Sequence, residues 1–164
     1  MLDMETRILV ARMVPGFDDG VLKQIFGSRT VKAVVLELYG TGTAPSRHAG
    51  LIEALEIAVA HDVVVVATTQ CRRGGIEMGV YEVGEALGRC GVISCADMTA
   101  ECAATKLAYL FGRLGDDAAA VRRLVAVSLR GELSPPAQYL RPFFDDCCAR
   151  AAVCLLYTSP SPRD

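Results

Sequence analysis

Two short stretches of this chain carry side chains that could recognise a ligand. The first, ELYGTGT at 37–43, sets the carboxylate of Glu37, the ring of Tyr39 and the hydroxyl of Thr43 around Gly40 and Gly42. Glycines allow a backbone to approach a ligand closely, and the geometry of a turn asks for the same residues. Tyr39 either finishes a core or lines a pocket. The second stretch, TTQC at 68–71, offers the hydroxyl of Thr69, the amide of Gln70 and the thiol of Cys71. Hydroxyls and amides both donate and accept hydrogen bonds. Cys71 reads either as a reactive thiol or, like most cysteines at strand ends, as a small hydrophobe.

Other residue types add little chemistry. Cys90, Cys95 and Cys102 lack the C-x-x-C spacing of a zinc site and have no histidine near them in sequence, so no metal is expected. No cofactor is implied either. The seven cysteines are odd in number and several fall in expected helices or strands, which predicts reduced and mostly buried thiols. His48 and His61 stand thirteen residues apart on one expected helix and read as surface or cap residues.

The elements that must position these groups follow from hydrophobic pattern. RILVA at 7–11 is a β-branched run ended by Pro15 and Gly16, an opening strand. Asp18 then caps a short helix through Gln24 and Phe26. KAVVL at 32–36 is a second strand whose continuous apolar character suits helices on both faces. Ser46 is placed to cap a helix in which Leu51, Ala54, Leu55, Ala58 and Val59 recur at helical spacing. VVVVA at 63–67 is a third strand, because consecutive β-branched residues lose rotamer freedom in a helix and pack well on a pleated surface. A helix over 81–89 stopped by Gly91, a strand at 92–94, a helix capped by Asp97 and a last helix from Asp116 or Asp117 through Leu124 and Val127 complete the order. Arg130, Gly131 and Glu132 are expected to close that last helix, the arginine lying near its negative end.

Strands alternating with helices predict an α/β domain: three layers, with a four-stranded, mainly parallel sheet and right-handed crossovers. In such sheets ligands lie at the carboxyl ends of the strands, which is where residues 37–43 and 68–71 fall. A chain of 164 residues fits one such domain, since domains near this size bury roughly 65–70 % of the surface exposed by the unfolded chain. A net charge of −2 with no basic stripe argues against nucleic acid or an anionic membrane as partner. No apolar run approaches the roughly 20 residues that span a bilayer, and MLDMETR lacks the apolar core of a signal peptide, so a cytoplasmic location is expected. The domain is assigned to residues 5–135. Residues 136–164, with their terminal prolines, are expected to form an irregular or disordered tail, of which 155–164 read as a non-native extension.

Four segments in collinear order carry a resemblance: LELYGTGTAP ending at 45, VVVVATTQCRRGGIEMGVYEVGEAL at 63–87, GVISCADMTAECAATKLAYLF at 91–111 and SLRGELSP at 128–135. Together they resemble the C-terminal, Rossmann-like domain of cytosolic type I L-asparaginase. The resemblance implies a parent enzyme that hydrolyses asparagine to aspartate and ammonia through a threonine nucleophile. The nucleophile and its partner threonine, aspartate and lysine belong to a larger N-terminal domain whose motifs this chain does not contain. A nucleophile works only beside its activating base, so the chain alone is expected to carry no catalytic residues and to be inert.

From this domain the resemblance implies oligomer contacts, a homo-oligomeric parent and an accessory or regulatory ligand site over Glu37, Tyr39, Gly40, Gly42, Thr43, Thr69, Gln70 and Cys71. Two positions depart from the family. Thr43 replaces an asparagine that reaches a neighbouring active site, and Glu37 replaces an arginine that clamps a ligand carboxylate. A like charge at about 4 Å, with an effective dielectric near 20, costs on the order of 4 kcal/mol, enough to abolish weak carboxylate binding. Two alternatives stay open: a non-catalytic module binding a partner or small amide, and a fragment of the related amidotransferase subunit.

Overall fold

The computed structural model describes residues 4–44, 48–78 and 82–134. Nine elements follow in order: β1 (Ile8–Arg12), α1 (Asp19–Gly27), β2 (Ala33–Leu38), α2 (His48–Ala60), β3 (Val64–Thr69), α3 (Glu82–Arg89), β4 (Ile93–Ser94), α4 (Ala100–Leu114) and α5 (Ala118–Val125). The four strands form one sheet in the order β1-β2-β3-β4, every pair parallel. The expected three-layer α/β architecture is therefore the observed one, with its sheet wholly parallel.

Side chains that alternate across the pleat divide the core into two layers. On one face Val34, Leu36, Leu38, Val65 and Ala67 pack against Leu22 and Phe26 of α1, Leu51, Leu55 and Ala58 of α2, and Leu87 of α3. On the other, Ala33, Val35, Val64 and Val66 pack against Ala103, Leu107, Leu110 and Phe111 of α4 and Val121 and Val125 of α5. Burial on both faces is what the unbroken apolar runs of β2 and β3 require.

Several details differ from the sequence reading, each for a local reason. β2 and β3 run on through Glu37–Leu38 and Thr68–Thr69, because those residues pair with one another in register. Asp18 caps α1 by accepting from Gly20 N, as expected, but Thr99 rather than Asp97 caps α4. The Asp97 carboxylate instead accepts from Ser134 N at 2.9 Å, tying the end of the described chain to the start of α4. Val59 is 48 % exposed, on the outer side of α2. Of the four thiols at Cys71, Cys90, Cys95 and Cys102, all free, only Cys95 is fully buried. Burial pushes its thiol up to about 12. The expected cap at Ser46 and the tail at 136–164 lie outside the described residues.

Residues 130–132 do not close a helix. α5 ends at Val125 with Ala126 as its cap, and the chain returns beside α4. Glu132 there accepts from the backbone amides of Leu129 and Arg130 and pairs with Lys106 of α4 at 2.6 Å. Lys106 also donates to Val127 O at 2.6 Å. Its side chain is 5 % exposed and that of Glu132 14 %. Burial opposes the charged form of Glu132, yet the bonds from Lys106 and the two amides hold its carboxyl at about 2.

Candidate ligand site at the strand ends

The carboxyl ends of β2 and β3 bring both candidate stretches together. Residues 39–43 form a tight hairpin: Tyr39 N donates to Thr43 O at 2.8 Å and Thr43 N returns to Tyr39 O at 2.9 Å. Gly40 and Gly42 take φ of +51° and +128°, values that L side chains seldom adopt. The Thr43 hydroxyl turns inward to Tyr39 O at 3.3 Å, so it closes the hairpin.

The second stretch holds the first in place. Thr69 Oγ1 donates to Gly40 O at 2.6 Å and accepts from Cys71 N at 3.0 Å. Gln70 Nε2 donates to Glu37 O at 2.8 Å and Met13 O at 2.6 Å, while its Oε1 accepts from Arg12 Nε at 3.3 Å. One amide thus braces the ends of β1, β2 and β3. Both Nε2 protons are used, so Gln70 meets a ligand only by giving up a strand. Cys71 is exposed just beyond this brace.

Glu37 is half-buried and lies in a row across the sheet between Arg12 of β1 and Thr68 of β3. The sequence reading considered the charge of Glu37 alone and missed Arg12. Its signal was available, since Arg12 ends the apolar run of β1 as Glu37 interrupts that of β2. Buried oxygens without a hydrogen-bond partner among the described residues are Tyr39 Oη and Thr68 Oγ1. Both belong to these strand ends, and unsatisfied buried hydroxyls are uncommon enough to mark a place where a polar group is missing.

The neighbouring position shows what the fold itself closes. β3 leads towards α3 on one face and β4 towards α4 on the other, the arrangement that opens a crevice between strands in α/β proteins. Here Ile76 is tied to the end of β4. Ile76 N donates to Ala96 O at 2.9 Å, Ser94 Oγ donates to Ile76 O at 2.8 Å, and the Ile76 side chain is 1 % exposed. The polar side chains of the two candidate stretches accordingly lie at the ends of β2 and β3, beside Arg12 of β1. No cluster of three or more histidine, cysteine or acidic residues fit to hold a metal occurs among the described residues.

Comparison with known proteins agrees with this architecture. The profile of the Glutaminase/Asparaginase C-terminal domain matches residues 7–125. L-asparaginase 1 of Escherichia coli is 42 % identical over 126 residues, covering 77 % of this chain and 36 % of the relative. A glutamyl-tRNA(Gln) amidotransferase subunit of Thermococcus kodakarensis is 34 % identical over 131 residues, covering 80 % of this chain and 29 % of that protein. The solved thermostable L-asparaginase of Thermococcus kodakarensis superposes with a TM-score of 0.72 at 32 % identity, over 81 % of this chain and 39 % of its own. The chain therefore spans between a quarter and two fifths of these relatives. On the profile match, the sequence identity and the shared parallel α/β fold, it belongs to the glutaminase/asparaginase C-terminal domain family.

Proposed function

We propose that this chain is the C-terminal part of an enzyme that hydrolyses the side-chain amide of asparagine, and that it supplies an accessory wall rather than the reacting groups. The observation that carries this reading is the hydrogen-bond state of the strand ends. Thr43 and Thr69, among the polar side chains best placed for a ligand, are committed to holding the hairpin at 39–43, and Gln70 to bracing the strand ends beneath it. A rigid, presented loop suits a surface that completes a site formed elsewhere. The exposed thiol of Cys71 has no histidine or lysine hydrogen-bonded to it among the described residues, and nucleophilic catalysis needs such a base.

The charges refine the ligand side of the proposal. Arg12 beside Glu37 offsets the carboxylate, leaving a row that is polar without a net sign. A zwitterionic amino acid amide suits such a row better than a simple anion. The test joins this chain to the N-terminal domain of the E. coli L-asparaginase 1 in place of that enzyme's own C-terminal domain. Ammonia release from asparagine is expected for the chimaera and none for the chain alone. Turnover by the isolated chain, or a folded chimaera without activity, would overturn the reading. Preferential release from glutamine would favour the amidotransferase-like alternative.

A further inference from the structure

A second concavity lies apart from the strand-end loops and shares no lining residue with them. It is a groove of about 840 Å³ along the outer side of α4, from Glu101 to Arg113, closed opposite by Leu129 and Arg130. At 1.5 Å per helical residue, those twelve steps make it about 18 Å long. Its volume falls in the range of small-molecule sites, roughly 300–1,000 Å³.

Three observations bear on what it takes. Met4 and Leu129, which line it, are 43 % and 41 % exposed, so large apolar side chains stand open to water inside a concavity. Lys106, in its floor, is neutralised by Glu132, which leaves the floor without net charge. Two guanidinium groups, those of Arg113 and Arg130, line it as well. Arg113 lies over the Tyr109 ring at 5.7 Å and donates to its hydroxyl at 3.5 Å. The bond from Arg113 and the charges of Arg113 and Arg130 together lower the Tyr109 pKa.

Neither arginine forms an ion pair among the described residues. The acid closest in sequence to Arg130 is Glu132, already engaged by Lys106 and two amides, and Glu101 lies at the far end of the groove. Two arginines without an acid partner that line one groove mark a place for an anion, and a planar guanidinium binds a carboxylate through two parallel hydrogen bonds. Solvated surface arginines are common. Here both line a long groove that also exposes Met4 and Leu129, and that combination selects its occupant.

We propose that the groove along α4 binds a single-chain fatty carboxylate, its head held by Arg113 and Arg130 and its aliphatic chain lying over Met4, Cys102 and Leu129. The headgroup sets the direction of the ligand and the groove length sets the chain length. The test titrates the full chain with laurate below its micelle concentration, followed by calorimetry. One saturable site is expected, weakened at least about tenfold, or 1.4 kcal/mol, in the Arg113→Gln/Arg130→Gln double variant. Both arginines are exposed, so circular dichroism should show the double variant folded. Leu129→Ser should weaken laurate independently of charge. Three results would each overturn the proposal: binding unchanged in the double variant, acetate binding as tightly as laurate, or dodecyltrimethylammonium binding equally well. The first removes the head site, the second the chain, and the third the selectivity for an anion.

Discussion

Lys106 Nζ and Glu132 Oε1 meet at 2.6 Å with almost no exposure to solvent, joining the middle of α4 to a turn 26 residues further along the chain. The pair is closed by Val127 O on one side and by the amides of Leu129 and Arg130 on the other. Removing one partner of such a pair strands the other charge. Lys106→Met should cost about 3 kcal/mol in urea denaturation. Lys106→Met combined with Glu132→Leu should recover at least half of that loss, since the stranded carboxylate is then gone. Strict additivity of the two substitutions would show that the charges are not coupled.

The same carboxylate makes stability depend on acid. Glu132 has a folded pKa of about 2 against an ordinary 4.5, the Lys106 and amide bonds outweighing burial. A depressed carboxyl contributes stability that is complete above 4.5 and is lost as the pH falls towards 2. Glu5, lowered to about 2 chiefly by its side-chain bond from Arg7, acts in the same window. Thermal midpoints should therefore decline from pH 4.5 downwards. Glu132→Gln should flatten that decline while leaving the protein less stable at neutral pH.

Thr69 offers a cleaner experiment on the strand-end loops. Its hydroxyl donates to Gly40 O and accepts from Cys71 N, two bonds that valine cannot make. Thr69→Val should cost about 1–2 kcal/mol, and Thr69→Ser should remain within about 0.5 kcal/mol of the parent. Amide exchange at Gly42 and Thr43 should quicken in the valine variant alone, because their bonds to Tyr39 O depend on the hairpin that Thr69 pins. Equal exchange in both variants would mean that the hairpin holds itself.

The two glycines of that hairpin should respond differently. Gly40 has φ +51°, the left-handed region that asparagine tolerates, and no atom within 4 Å of an added Cβ. Gly42 has φ +128°, and an added Cβ would meet Ile76 Cγ2 at 3.6 Å, so backbone strain outweighs crowding there. Gly42→Ala should cost about 1–3 kcal/mol, and Gly40→Asn less than about 1 kcal/mol. Denaturant midpoints of the two variants give the comparison directly.

Thiol accessibility separates the cysteines just as sharply. Cys71 is exposed, whereas Cys95 is fully buried and held near 12. Iodoacetamide at pH 8 should label Cys71 in the native protein and leave Cys95 untouched until denaturant is added, as peptide mass mapping would show. Early labelling at Cys95 would require the layer between β3 and α4 to open.

The parallel sheet was readable because both faces of β2 and β3 are covered, and two-sided burial leaves unbroken apolar runs such as AVVL at 33–36 and VVVVA at 63–67. What escaped reading depends on partners distant in sequence. Asp97 has the position and chemistry of a helix cap, yet Ser134 N claims its carboxylate from 37 residues away. Lys106 sits among Ala103, Leu107 and Leu110 on the buried stripe of α4, a visible anomaly whose resolution in Glu132 no local pattern announces. Gln70 was legible as a polar residue at a strand end. Its commitment to Met13 and Glu37 follows only from strand order and register.

Ile76 is tied to the end of β4 through its peptide group, by bonds to Ala96 and Ser94. Point substitution changes side chains and leaves that peptide group standing. Divergence among descendants of this fold can thus reshape the ends of β1, β2 and β3 residue by residue, while the backbone tie at the end of β4 yields more readily to a change in chain length between Cys71 and Met78. Insertions and deletions in that interval, rather than amino-acid replacements, are the events by which a new specificity could arise there.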